Sequence, residues 1–196
     1  MRTPTKLEIA KIIEAIVYLV SRSKDRKMSK LHLLKMLFFA DRWHLRMYGR
    51  SVTGDTYYAM QYGPVPSECK RIAEGHPSLD MGEALSGALD FPCPNIVHAI
   101  RDERRSALSD SDIAALEAAR DVEKKERDLV AFSHNFPEWQ KHERAIQKIH
   151  RRKQMDGLDF FLDAPKGSEY CEADAERVAC AKEAYLEHEA AERVLG

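Results

Sequence analysis

The chain has 196 residues, 44% of them hydrophobic, with 31 Lys and Arg against 32 Asp and Glu for a formal net charge of −1. A chain this long buries roughly 70% of the surface it exposes when unfolded, so an ordinary core forms without staples. The charge balance argues against neutralisation of nucleic-acid phosphates as the main task, because each phosphate needs a positive partner. Cys69, Cys93, Cys171 and Cys180 form no C-x-x-C pair and match no zinc-ligand spacing, which predicts free thiols in a reducing compartment. No apolar leader opens the sequence, and the early apolar run 12–20 contains Glu14 at about half the length of a spanning helix. The expectation is a cytoplasmic protein without membrane association.

In chain order, Ile9, Ile12, Ile13, Ile16, Leu19 and Val20 have helical spacing, with Pro4 at the first turn, and predict a helix over residues 6–20. After a basic stretch, Ser29 is placed to cap a second helix running to Tyr48, rich in Leu31, Leu34, Leu37, Phe38 and Leu45. Gly49 stops it, and its apolar breadth makes it the expected centre of the core. Gly54-Asp55 turns the chain before a β-prone stretch from Thr56 to Tyr62, and Gly63-Pro64-Val65-Pro66 reads as stiff punctuation. Ser67 is placed to cap a short helix ending by Gly75. Residues 76–94 read as loop and 95–101 as a strand. Ser109 or Ser111 caps a helix to about Glu123, a short helix covers 126–135, and Pro137 opens another carrying Trp139. The Ala- and Glu-rich segment 168–195 is a strong helix former. The expected fold is mainly α with a small β element: a domain over residues 1–165 plus an accessory C-terminal helix over 166–196.

Chemistry is sparse. Asp41 and His44 stand three apart on a helix, an arrangement compatible with an oriented general base, and Asp55 offers a second carboxylate. No nucleophile elbow, phosphate loop or H-E-x-x-H accompanies them, so the pair reads as structural rather than as an Asp/His hydrolase. His142 with His150, and Cys171 with Cys180, lack ligand spacing, and neither metal nor cofactor is expected. Two basic runs, Arg22 to Lys30 and Lys148 to Lys153, read as solvated loop charge rather than a nucleic-acid footprint. The segment 41–66 is distinctive for Trp43, Tyr48, Tyr57, Tyr58 and Tyr62, residues that combine apolar area with a polar handle and suit protein interfaces. Alternation along a strand predicts that Tyr57 and Tyr58 point opposite ways and that one of them is buried.

Leu34-Lys-Met-Leu-Phe-Phe-Ala-Asp-Arg-Trp-His-Leu45, Tyr48-Gly49-Arg50, Thr53-Gly54-Asp55-Thr56-Tyr57 and Tyr62-Gly63-Pro64-Val65-Pro66-Ser67, in order and at their spacings, closely resemble the signature of the Panacea domain. These are the SocA-like antitoxins, also known as phage-associated GepA-like proteins. Phe132-Ser-His-Asn-Phe-Pro-Glu-Trp139 is similar to the family's downstream histidine–tryptophan element. The resemblance runs from about Leu7 to about Lys153 and leaves the terminal helix outside. It implies a mostly helical domain that neutralises a genetically linked protein toxin by direct contact, not an enzyme. A phage-associated regulatory binding module, or an adaptor that hands its partner to a protease, is the alternative. Some members carry an added DNA-binding domain. None is expected ahead of the first helix here, which argues against autoregulation. Arg50, Asp55, Tyr57, Tyr58 and Tyr62 are the expected contact residues. Asp41, Arg42, His44, Tyr48, Gly49, Thr53, Gly54, Gly63, Pro64, Pro66 and Trp139 are motif positions expected to shape the fold. Self-association through the terminal helix is a further expectation.

Overall fold

Helix α1 (Lys6–Ser21) begins at Thr5, whose hydroxyl accepts from the Glu8 amide while the Glu8 carboxylate accepts from the Thr5 amide. The computed structural model describes residues 4–149, 152–165 and 173–195. The isoleucine face predicted for α1 is buried throughout. Strand β1 (Lys27–Ser29) leads into α2 (Lys30–Tyr48), capped by the Ser29 hydroxyl and ended at Gly49, whose φ of 71° lies in the left-handed region. As its composition predicts, α2 is the spine. Leu33 to Ala40 are all buried, and α1, α5 (Asp110–Lys125), α8 (Ala175–Leu195) and the hairpin described below pack around it. Leu31 departs from that expectation and is partly exposed on the first turn.

Around Phe38 the core is aromatic. Phe39, Tyr57, Phe136 and Phe160 have ring centroids 5.2 to 6.0 Å from it, in tilted and edge arrangements. Each ring comes from a different part of the chain except Phe38 and Phe39, so this cluster ties the elements together.

Strand β2 (Tyr57–Met60) turns back through Gln61 and Tyr62 into β3 (Gly63–Pro66), pairing Tyr57 with Pro66 and Met60 with Gly63. Residues 63–66 are therefore a strand, where the sequence reads as punctuation. The sheet order is β3–β2–β6, with β6 (Lys153–Gln154) on the far side, so β3 is an edge. An edge accepts prolines because their missing N–H groups can face away from the partner strand. A second sheet has the order β1–β5–β4. Its β5 (Ile96–Ala99) meets the sequence expectation, but β4 (Leu89–Cys93) and α4 (Gly82–Ser86) occupy the stretch read as loop. Gly and Pro there mark turns and an irregular register between Asp90 and Cys93 rather than absence of structure.

Helix α3 (Ser67–Ala73) starts where expected, but Ser67 is not its cap. The Asp55 carboxylate accepts from the Glu68 and Cys69 amides at 3.0 and 2.8 Å and takes that role from a distance in sequence. Ser109 caps α5 in a reciprocal box with Asp112, Asp128 caps α6 (Leu129–Ser133), and Pro137 opens α7 (Pro137–Ile149). Helix α8 begins at Ala175, and residues 168–172 of the predicted helix lie outside the described residues.

Candidate functional site

Helix α2 carries five buried polar side chains, and each is committed to groups outside the helix. Asp41, fully buried, accepts from the Val52 and Thr53 amides at 2.8 and 3.0 Å, from the Thr53 hydroxyl, and from the Tyr57 hydroxyl at 2.8 Å. Burial raises its carboxyl to about 6, and the Thr53 and Tyr57 donors oppose that rise. The result fixes the loop after α2 against the start of β2.

His44 forms a second node. Its Nδ1 lies 2.6 Å from the Arg50 carbonyl, which can only accept, so Nδ1 carries the proton and donates. Nε2 is then free to accept from the Ser111 hydroxyl at 3.0 Å. Burial holds the imidazole down at about 4, in its neutral form. Beside it, Asp112 receives Lys11 at 3.0 Å and Arg50 at 2.9 Å. Burial works against its ionisation, but the Ser109 amide and hydroxyl and Lys11 hold it below the usual carboxylate range.

Arg42 donates to Glu138 at 2.8 Å and to the Leu162 carbonyl at 2.7 Å, while Arg46 reaches the Phe161 carbonyl and Asp163, both at 2.7 Å. These guanidinium groups clamp residues 161–163 onto α2. Lys35 donates to the Pro64 carbonyl at 2.8 Å and secures the hairpin. Trp139 joins the same hairpin from α7, its Nε1–H donating to the Met60 carbonyl at 2.9 Å while its ring stacks on His134.

Held by these contacts, the hairpin presents an aromatic surface. Tyr57 is buried and Tyr58 half-buried, as strand alternation predicts. The Arg152 guanidinium lies 4.7 Å from the Tyr58 ring centroid. Tyr62, at the turn, is 60% exposed. Tyr48 is 42% exposed at the end of α2, with the Trp43 ring 5.9 Å away.

The expected contact residues thus divide. Tyr62 and Tyr58 reach the surface. Arg50 is 44% exposed, yet its guanidinium is committed to Asp112, Ser109 and Ser111. The Asp55 carboxylate caps α3, and Tyr57 belongs to the core. Among motif positions, Gly63 has a φ of 96°, and a Cβ there would stand 2.4 Å from Ser133 Oγ and 2.7 Å from Lys35 Nζ. Gly49 is packed as tightly, its Cβ position lying 2.3 Å from the Ala181 carbonyl of α8. Gly54 faces open space at φ 64° and serves the turn alone. Lys35, Arg46 and Glu138 are not singled out in the sequence reading, although Lys35 and Glu138 lie inside its motif runs. Long charged side chains in an amphipathic helix read as solvent-facing, and only the fold shows where these are buried.

Asp41, His44 and Asp55 each have their own hydrogen-bond partners. Asp41 and His44 share no hydrogen bond, and all three are engaged with loop and helix backbone or with structural hydroxyls. No cluster of metal-ligating side chains occurs among the described residues, and no described helix is long and apolar enough to cross a membrane. Fold and site define a mainly helical domain in which a polar-laced central helix holds a short aromatic hairpin. The chain belongs to the Antitoxin SocA-like, Panacea domain family, whose profile matches residues 33–140, from the first turns of α2 into α7. Neither the curated proteins nor the solved structures compared with it yield a match.

Proposed function

We propose that this chain is the antitoxin of a toxin–antitoxin pair and neutralises a co-encoded protein toxin by binding it, without catalysing a reaction. The observation that carries the reading is the family match over residues 33–140, which includes the whole hairpin and α2 from Leu33 onward. The chemistry of the site supports it. Polar groups that would serve an enzyme are consumed in holding loops, whereas Tyr62, Tyr58 and Tyr48 offer amphipathic area to a partner. Such anchors carry much of the energy of protein interfaces, and a stiff loop loses little entropy on docking.

The test is co-expression of the chain with the product of its neighbouring gene. Rescue of growth together with a stable complex of the two purified proteins is the expected result. A neighbour that is harmless alone and does not bind would turn the reading toward a regulatory module without a dedicated toxin. Rescue accompanied by loss of the neighbour's protein, dependent on a host protease, would turn it toward an adaptor.

A further inference from the structure

Lys35 has no role in the expected interface, yet it is one of the largest fully buried side chains of the molecule. Its amine lies on the free side of edge strand β3, where the Pro64 carbonyl has no partner strand. It also touches the Cβ position of Gly63, as Ser133 Oγ does, so the strand is gripped between α2 and α6. Among the described residues no carboxylate is within ion-pair distance of this amine.

The charged groups around it are occupied or of the wrong sign. Asp128 caps the Val130 and Ala131 amides at 3.0 Å. Glu123, on α5, pairs with His32 at 2.7 Å. Arg127 adds positive charge on the approach to α6, and His134 is held below its usual value by burial and by Lys35. A groove of about 160 Å³, lined in part by Lys35, Leu31, His32, Asp128 and Leu129, lies beside the buried side chain.

We infer that the β2–β3 hairpin is a clasped element, fastened to the domain by the Lys35 amine, and that protonation of this amine favours its release. A neutral amine donates to Pro64 and tolerates burial, whereas an ammonium buried without a counter-ion gains by reaching water. Burial lowers Lys35 to about 7, which puts the change within the physiological range. An opened hairpin returns the amine to its ordinary value of 10.5. Between those limits the open form binds more protons, so opening becomes easier as pH falls and levels off below about 7. The inference concerns the hairpin itself and holds whether or not Tyr62 meets a partner.

Hydrogen exchange of the peptide 57–66 in the full chain, corrected for intrinsic rates at each pH, measures the opening. The expected result is an opening constant that drops about fifty-fold from pH 7 to 9, the slope nearing tenfold per unit at the upper end, at a free energy below that of α1 and α2. Lys35→Met should abolish that dependence. Gly63→Ala, whose Cβ would displace the amine, should raise opening at every pH. Exchange of the hairpin only together with the core, or a native profile flat from pH 7 to 9, would overturn the inference even if Lys35→Met failed to fold. Persistence of the slope in a folded Lys35→Met protein would overturn it equally.

Discussion

Removing the Tyr62 ring strands no internal partner among the described residues, because its hydroxyl makes no hydrogen bond with them and most of its surface faces solvent. Tyr62→Ala should therefore leave stability within about 0.5 kcal/mol of the native protein while weakening toxin binding at least about tenfold. Arg50→Ala is a different experiment. It leaves Asp112 with Lys11 but removes the bonds to Ser109 and Ser111, so a stability loss of about 1 kcal/mol should accompany any loss of binding. Calorimetric titration against the co-encoded partner, paired with a melt of each variant, separates the two. Normal binding by Tyr62→Ala would remove the hairpin tip from the interface. Deeper inside, Tyr57→Phe should cost about 1–2 kcal/mol through the lost donor to Asp41, and Tyr57→Ala about 3–5 kcal/mol through the cavity left beside Phe38 and Phe160. Equal melting of the two Tyr57 variants would show that the ring does not fill the core as described.

At the level of elements, α8 packs along α2 and against residues 157–161 through small and aromatic side chains. Ala181 is buried against Gly49, and Tyr185 lies 5.5 Å from the Phe161 ring and over Gly157. Its other face is largely exposed, and Leu186 and Val194 stand in solvent. The accessory role read from the sequence stands as a proposal: a chain ending near Pro165 should still unfold cooperatively, with a lower melting temperature from the uncovered Gly49 and Phe161. Broad, non-cooperative unfolding would make α8 part of the core. Gly49→Ala tests the docking without truncation. It combines a strained left-handed φ with a collision against the Ala181 carbonyl, so it should cost more than about 1 kcal/mol and raise hydrogen exchange across residues 175–195. Unchanged protection of α8 in that variant would mean the helix is held elsewhere.

Across the whole molecule, three buried groups on α2 set the response to pH. His44 is held at about 4 in the folded protein against 6.5 unfolded, so its contribution is full above 6.5 and lost as pH falls through 4. Asp41, raised from 3.8 to about 6, acts in reverse: its contribution is full below 3.8 and lost as pH rises through 6. The two oppose one another over the same acid range. Lys35, lowered from 10.5 to about 7, contributes fully above 10.5 and loses that contribution as pH falls through 7. The Cys69 thiol and Tyr57 phenol, both pushed up by burial, begin to oppose it above their ordinary values of 9 and 10. Melting temperature should therefore rise from pH 7 to about pH 8.5, and Lys35→Met should erase the rise. Scanning calorimetry across that range decides it, and a flat native profile would show that Lys35 is not buried at that cost.

Local signals settled much of this protein. Isoleucine spacing gave α1, Ser29 and Gly49 bounded α2, and residue alternation divided Tyr57 from Tyr58, because caps, periodicity and pleat are properties of neighbouring residues. The motif order along α2 and the hairpin likewise placed the chain in its family. Tertiary structure decided what depends on distant partners. Residues 63–66 became a strand because β2 lay beside them, Asp55 became the cap of α3, and Arg50 was drawn to Asp112 on another helix. Lys35 was the least legible of all. A lysine on an amphipathic helix reads as solvent-facing until an edge carbonyl and a close-packed glycine are brought against it, and both come from a segment 28 residues or more away in the chain.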